Sequence, residues 1–168
     1  MGEIKLQDNS YLELAKNSFI SEKVDEALHY CDQLLATDHK NVEAWRLKTD
    51  IYNSIQQWEH ALDCISKTIT FSSLKEPADY YVSGKLKLRL FKYEEAIIDY
   101  LNIISLSEKY NDFYYINMAN FFLSYSYLLL KNKEMSMKYL KLTNDDCQNY
   151  INGTHITKKY ILNELSKI

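Results

Sequence analysis

Apolar and small residues recur at helical spacing along most of the chain, and the pattern itself repeats. Ala27, Ala61 and Ala96 mark the repeat at intervals of 34 and 35 residues. A unit of about 34 residues accommodates two helices joined by a turn, and such units must stack to bury their apolar faces. The pattern predicts helices at about 8–21, 24–37, 42–55, 58–71, 77–91, 93–108, 113–131 and 133–143, with a last helix at 157–168.

Two positions in each unit carry only small side chains. A large side chain at either place would push the two helices of a unit apart, so this regularity predicts closely packed helix pairs. The two positions hold Ala15, Thr49, Gly84 and Ser124 in the first helix, and Ala27, Ala61, Ala96 and Ser136 in the second.

The second unit has Trp45 and Tyr52 in its first helix, and Ala61 and Ile65 in its second. This arrangement resembles the tetratricopeptide repeat family, whose pattern is W-x2-L-G-x2-Y followed by A-x3-F. The third unit shows its most family-like string at 91–96, where the second helix begins.

The resemblance implies an all-α fold, a right-handed α-solenoid of antiparallel helix pairs. We expect one domain spanning residues 1–168, with three clear repeats, a degenerate fourth repeat and a capping helix that packs over the fourth repeat. Their expected ranges are about 8–41, 42–75, 77–110 and 117–150 for the repeats, and about 155–168 for the capping helix.

The charge balance bears on possible partners. The formal net charge is −3 and the isoelectric point is near 5.8. Nucleic-acid binding requires a clustered positive surface, which this balance disfavours.

The chain has no apolar run long enough to span a bilayer, and its first residues lack the apolar core of a signal peptide. Three cysteines without a paired motif suit a reducing compartment. We therefore expect a cytoplasmic protein that binds neither nucleic acid nor membranes.

Signatures of catalysis are missing from the sequence. It contains no G-x-S-x-G, no phosphate-binding glycine loop and no H-E-x-x-H, and it has only three glycines. His29, His39, His60 and His155 are scattered without metal-ligand spacing. The sequence thus predicts no enzymatic activity, no cofactor and no catalytic or metal site.

The resemblance also implies where a partner binds, because the first helices of this family line a concave groove. The second half of that groove would be basic and aromatic, which suits a peptide with apolar anchors and an acidic group. An alternative is that Phe121 or Phe122 is buried by the carboxyl-terminal helix folding back into the groove. The implied groove residues are Leu12, Lys16, Arg46, Asp50, Tyr81, Lys85, Arg89, Phe121, Phe122 and Tyr125.

These observations favour a non-enzymatic protein–protein interaction module that binds a protein or peptide in its groove, as a scaffold does. A dedicated chaperone, or an immunity or inhibitor protein that sequesters one secreted or toxic protein, is the alternative. Self-association into a homodimer through the aromatic end is compatible with both hypotheses.

Overall fold

The computed structural model describes residues 8–111 and 113–168. These residues fall into two compact units, one ending at Ser73 and the other beginning at Leu74. All predicted helices are present, with ends within three residues of the prediction. The elements are α1 (Asp8–Ile20), α2 (Val24–Thr37), α3 (Val42–Ser54), α4 (Trp58–Phe71), α5 (Pro77–Arg89), α6 (Tyr93–Tyr110), α7 (Ile116–Leu129), α8 (Lys133–Leu140), β1 (Gln148–Ile151), β2 (Thr154–Thr157) and α9 (Lys158–Leu165).

The first unit is built from two helix pairs, α1 with α2 and α3 with α4, and α2 also packs on α3. Each pair buries its apolar side, and one core cluster joins Ala15, Ala27, Cys31 and Ile51. The start of α3 is fixed by Asn41, whose side-chain oxygen accepts a 3.0 Å hydrogen bond from the Ala44 amide. Such a cap satisfies a helix N–H that has no partner within the helix.

The second unit contains the pairs α5 with α6 and α7 with α8, followed by the β-hairpin and α9. Pro77 begins α5, where a missing N–H costs no intrahelical hydrogen bond. One continuous core extends from Leu88 in α5 through Tyr100 and Leu123 to Ile161 and Leu165 in α9. The carboxyl-terminal elements are therefore part of the same core as the helix pairs.

The small residues lie where the helices of a pair come close together. In α7 and α8 the two serine hydroxyls are 3.2 Å apart, and Ser136 Oγ also donates to the Ser124 carbonyl at 2.8 Å. In α5, a Cβ added to Gly84 would lie 2.7 Å from Cζ of Tyr100 in α6. Because Tyr100 is fully buried, its ring cannot turn out into solvent to make room.

The turn within each helix pair repeats with the same backbone geometry. Glu22, Gln56, Phe91 and Lys131 each follow the first helix and adopt a left-handed φ of 56–60°. In every case the next amide donates back to the carbonyl five residues earlier, as Lys92 does to Lys87 at 2.8 Å. This pattern is a Schellman motif, which ends a helix while satisfying its last carbonyls.

A β-hairpin between α8 and α9 was not predicted. β1 and β2 pair antiparallel, with Ile151 opposite Thr154, so Asn152 and Gly153 form a two-residue turn. Both turn residues have positive φ, 49° and 78°, which a type I′ turn requires and which Asn-Gly favours. The hairpin thus lies between the helices predicted at 133–143 and 157–168, and α9 begins at Lys158.

The contact between Gly84 and Tyr100 makes a specific prediction. In a helix with free space, Gly84→Ala would raise the free energy of unfolding by up to about 1 kcal/mol through helix propensity. The added methyl group would instead press against the buried Tyr100 ring. We therefore expect Gly84→Ala to lower the free energy of unfolding by about 1–3 kcal/mol. Urea unfolding followed by circular dichroism measures this difference.

Ser105→Ala serves as a control, because Ser105 lies in the middle of α6 and its side chain is exposed to solvent. We expect this variant to differ from wild type by no more than about 0.5 kcal/mol. A stability gain in Gly84→Ala would show that α5 and α6 are not in close contact at this point.

Candidate partner-binding site

In the first unit, the predicted groove residues lie on α1 and α3, which contact one another. Leu12 packs beside the cluster of Leu34, Leu35 and Ala44. Lys16 is half-buried, and its Nζ lies 3.3 Å from Glu13 Oε1 in the preceding turn. We call the surface formed by Leu12, Lys16, Arg46 and Asp50 the α1/α3 face.

The α3 part of this face carries charges of both signs. Arg46 is half-buried and lies 3.1 Å from Glu43 Oε1. The Asp50 side chain reaches solvent, yet the surrounding protein desolvates its carboxyl enough to raise its pKa. Each of these ion pairs joins residues one turn apart on the same helix and has an exposed glutamate, so each contributes less than about 1 kcal/mol to stability.

In the second unit, Tyr81, Lys85 and Arg89 lie along one side of α5, and all three are half-buried. Lys85 Nζ is 5.5 Å from the centre of the Tyr81 ring, within cation–π distance. Burial lowers the pKa of Lys85, and the positive charge of Arg89 lowers it further. This side of α5 therefore combines an aromatic ring with two cationic groups.

The three aromatic groove residues predicted on α7 are not on the surface, and the expectation that they are available to a partner needs correction. Phe121 and Phe122 are 0% exposed, and Tyr125 is 6% exposed. Phe122 stacks on Tyr100 with ring centres 5.2 Å apart, and Tyr81 lies 6.0 Å from it. These side chains form the core of the second unit.

The carboxyl-terminal hairpin and α9 pack against α5 and α7, the two helices that carry the groove residues of the second unit. β1 contacts α5 and α9 contacts α7. Asn149 shares a side-chain hydrogen bond with Tyr81, and Asn152 Nδ2 donates to the Arg89 carbonyl at 3.0 Å. Of the two alternatives left open by the sequence, the structure favours burial of the aromatic residues.

Sequence reasoning missed the hairpin, although a signal was present. Asn152-Gly153 stands between two four-residue segments in which Ile151 and Ile156 are buried and Tyr150 and His155 are exposed. Asn-Gly between alternating segments is a strong local indication of a hairpin. The exposed rings of Tyr150 and His155 stack across the two strands, with ring centres 4.5 Å apart.

Membrane-spanning helices and clusters of metal-binding side chains are absent from the part of the chain that the structure describes. Within residues 8–111 and 113–168, no helix is both long and apolar enough to cross a membrane. The same residues contain no group of three His, Cys, Asp or Glu side chains arranged to hold a metal ion. Cys31 and Cys64 are buried, and burial raises the pKa of these thiols to about 12 and about 11.

Solved structures of tetratricopeptide repeat proteins resemble this chain. A crystal structure of MamA aligns with 80% of this chain and 69% of its own, with a TM-score of 0.69 and 18% identity. A tetratricopeptide repeat protein from Parabacteroides merdae aligns with 83% of this chain and 52% of its own, with a TM-score of 0.67 and 19% identity. The chain has the tetratricopeptide repeat fold.

A third similar structure is YrrB, described as a tetratricopeptide repeat protein with an unusual peptide-binding site. It aligns with 80% of this chain and 84% of its own, with a TM-score of 0.56 and 15% identity. No protein-family model and no curated protein matches the chain. The predicted fold class, an all-α solenoid of tetratricopeptide type, is confirmed by these structural neighbours.

The burial of the carboxyl-terminal segment predicts that it stabilises the second unit. Ile161 is 0% exposed in α9, whereas its neighbour Leu162 is 44% exposed. We expect Ile161→Ala to lower the free energy of unfolding by about 2–5 kcal/mol, because it leaves a cavity in the core. Leu162→Ala is the matched control and should lower the free energy of unfolding by less than about 1 kcal/mol.

Chemical denaturation measures both variants, and hydrogen exchange locates the effect. We expect amides of α7 to exchange faster in Ile161→Ala than in Leu162→Ala. Equal stabilities for the two variants would contradict the packing of α9 into the core.

Proposed function

We propose that this protein is an interaction module that binds an extended segment of a protein partner. In the first unit the proposed contacts are Leu12, Lys16, Arg46 and Asp50 on the α1/α3 face. In the second unit Tyr81, Lys85 and Arg89 on α5 form a separate proposed contact surface. The observation that carries this proposal is a pair of half-buried cations, Lys16 and Arg46, beside apolar side chains of the same unit. Each forms a local ion pair with an exposed glutamate one turn away on its own helix, Glu13 for Lys16 and Glu43 for Arg46. We propose that the protein performs this role without catalysis.

The chemistry of the α1/α3 face indicates what its partner carries. Leu12 and Leu47 are half-buried apolar side chains beside the cationic groups. A partner segment with an apolar anchor and an acidic group nearby would complement them. The exposed Asp50 carboxylate adds a place for a basic or hydrogen-bond-donating group of the partner.

The α5 residues form a second contact surface, proposed separately for the second unit. An anionic group of a partner would stabilise the charged form of Lys85, which burial and Arg89 disfavour. Phe121, Phe122 and Tyr125 then act as rigid support beneath this side rather than as contacts. A peptide ligand also agrees with the peptide-binding site ascribed to YrrB, which has the same fold.

The proposal is tested by identifying the partner and then measuring its affinity for two charge-matched variants. Affinity purification from the native cell, followed by mass spectrometry, supplies the candidate partner. We expect Lys16→Glu combined with Arg46→Glu to weaken binding of the purified partner at least tenfold, because both cations of the face become repulsive. Isothermal titration calorimetry measures the dissociation constant.

Lys23→Glu combined with Lys40→Glu is the control, because it makes the same change in net charge at two exposed residues of the same unit. Circular dichroism establishes that both double variants are folded. If the two double variants bind the partner equally well, the α1/α3 face is not the binding surface.

A further inference from the structure

The second unit contains a cavity of about 410 Å³ that the proposed function does not use. It lies between the turn from α5 to α6, the side of α7, the tip of the hairpin and the start of α9. Phe91, Tyr93, Tyr125, Leu129, Ile151 and Tyr160 are among the side chains that line it. Its volume is in the range of about 300–1,000 Å³ that is typical of small-molecule sites.

The lining is aromatic and uncharged. It comprises Leu, Ile, Phe, Tyr, Asn and Thr side chains, without any Asp, Glu, Lys, Arg or His. Burial raises the pKa of Tyr125 to about 12, with additional contributions from Tyr160 and Tyr93. Tyr125 therefore stays neutral at physiological pH, and each phenol hydroxyl of the lining can donate and accept hydrogen bonds.

A second observation points to the same cavity. Phe91 occupies the left-handed turn position that holds Glu22, Gln56 and Lys131 in the other helix pairs. A bulky residue is unfavourable in this conformation, where glycine or asparagine is preferred. Phe91 is nevertheless 66% exposed, so its ring is not explained by burial in the core. Phe91 lines the cavity, and its ring lies edge to face with the Tyr93 ring, with the two ring centres 6.3 Å apart.

We propose that this cavity binds an uncharged aromatic ligand with a hydrogen-bonding edge, held between the Phe91 ring and the phenols of Tyr93, Tyr125 and Tyr160. The apolar walls favour a flat ring, and the hydroxyl groups satisfy one or two polar atoms. A charged ligand is disfavoured, because no lining side chain compensates the loss of its hydration. The ligand is either a free small molecule or an aromatic side chain of a partner.

Three indole compounds test the class of ligand on the full-length protein by ligand-observed NMR and calorimetry. We expect free indole to bind with a dissociation constant of about 1 mM or tighter, as its size permits. Indole-3-carboxylate has the same ring with a negative charge and should bind at least tenfold more weakly. N-acetyltryptophanamide separates the two sources, since it binds only if the cavity admits a ring attached to a peptide backbone.

Variants on opposite faces of β2 test the location. Thr154→Phe fills the cavity, because Thr154 is one of its lining residues, and should weaken indole binding at least tenfold. His155→Phe is the matched control, since His155 lies on the exposed face of the same strand and stacks on Tyr150. It should leave indole binding unchanged.

Phe91→Gly provides an independent test that does not depend on tolerance of a larger side chain. Glycine relieves the left-handed backbone, so we expect an unchanged or higher melting temperature together with weaker indole binding. Gln56→Gly makes the equivalent change in the first unit and should not affect indole binding. The proposal is overturned if wild type binds none of the neutral indoles, or if folded Thr154→Phe or Phe91→Gly binds indole as tightly as wild type.

Discussion

The structure depends on close approach between the two helices of each pair. Small side chains at the crossing points permit it, as the 3.2 Å contact between Ser124 and Ser136 illustrates. At Gly84 the neighbouring ring occupies the space that a methyl group would need. Protein interiors are packed densely enough that such positions tolerate little added volume. The periodic recurrence of small residues is thus a steric requirement of the fold.

The same constraint shapes the surfaces available to a partner. Close pairing leaves side chains of α1, α3 and α5, among them Lys16, Arg46 and Lys85, only half-buried. In the second unit, the hairpin and α9 pack against α5 and α7, and Phe121, Phe122 and Tyr125 become core residues. Among the described residues, our proposals concern the charged α1/α3 face, the basic and aromatic side of α5 and the cavity beside Phe91.

The sequence predicted the helices well because two of their determinants are local. Helical spacing of apolar residues and the small residue at each crossing point repeat with the chain, so one unit supports the assignment of the next. The burial of Phe122 could not be predicted in this way. It depends on tertiary contacts with residues distant in sequence, such as Tyr100 and Tyr81, whose rings lie 5.2 Å and 6.0 Å from the Phe122 ring. The hairpin had a local signal in Asn152-Gly153, but short strands carry too little periodicity to stand out beside long helices.

The most direct test of close helix approach is a double-mutant cycle between Ser124 and Ser136, which enlarges one side chain and shrinks the other. Ser136→Val adds volume at the crossing point of α7 and α8, and Ser124→Gly removes volume on the facing helix. If the two helices meet at these residues, the stability cost of Ser136→Val falls by at least about 0.5 kcal/mol when Ser124 is glycine. If the stability costs of the two single substitutions add to that of the double variant within about 0.3 kcal/mol, the two helices do not meet at these residues.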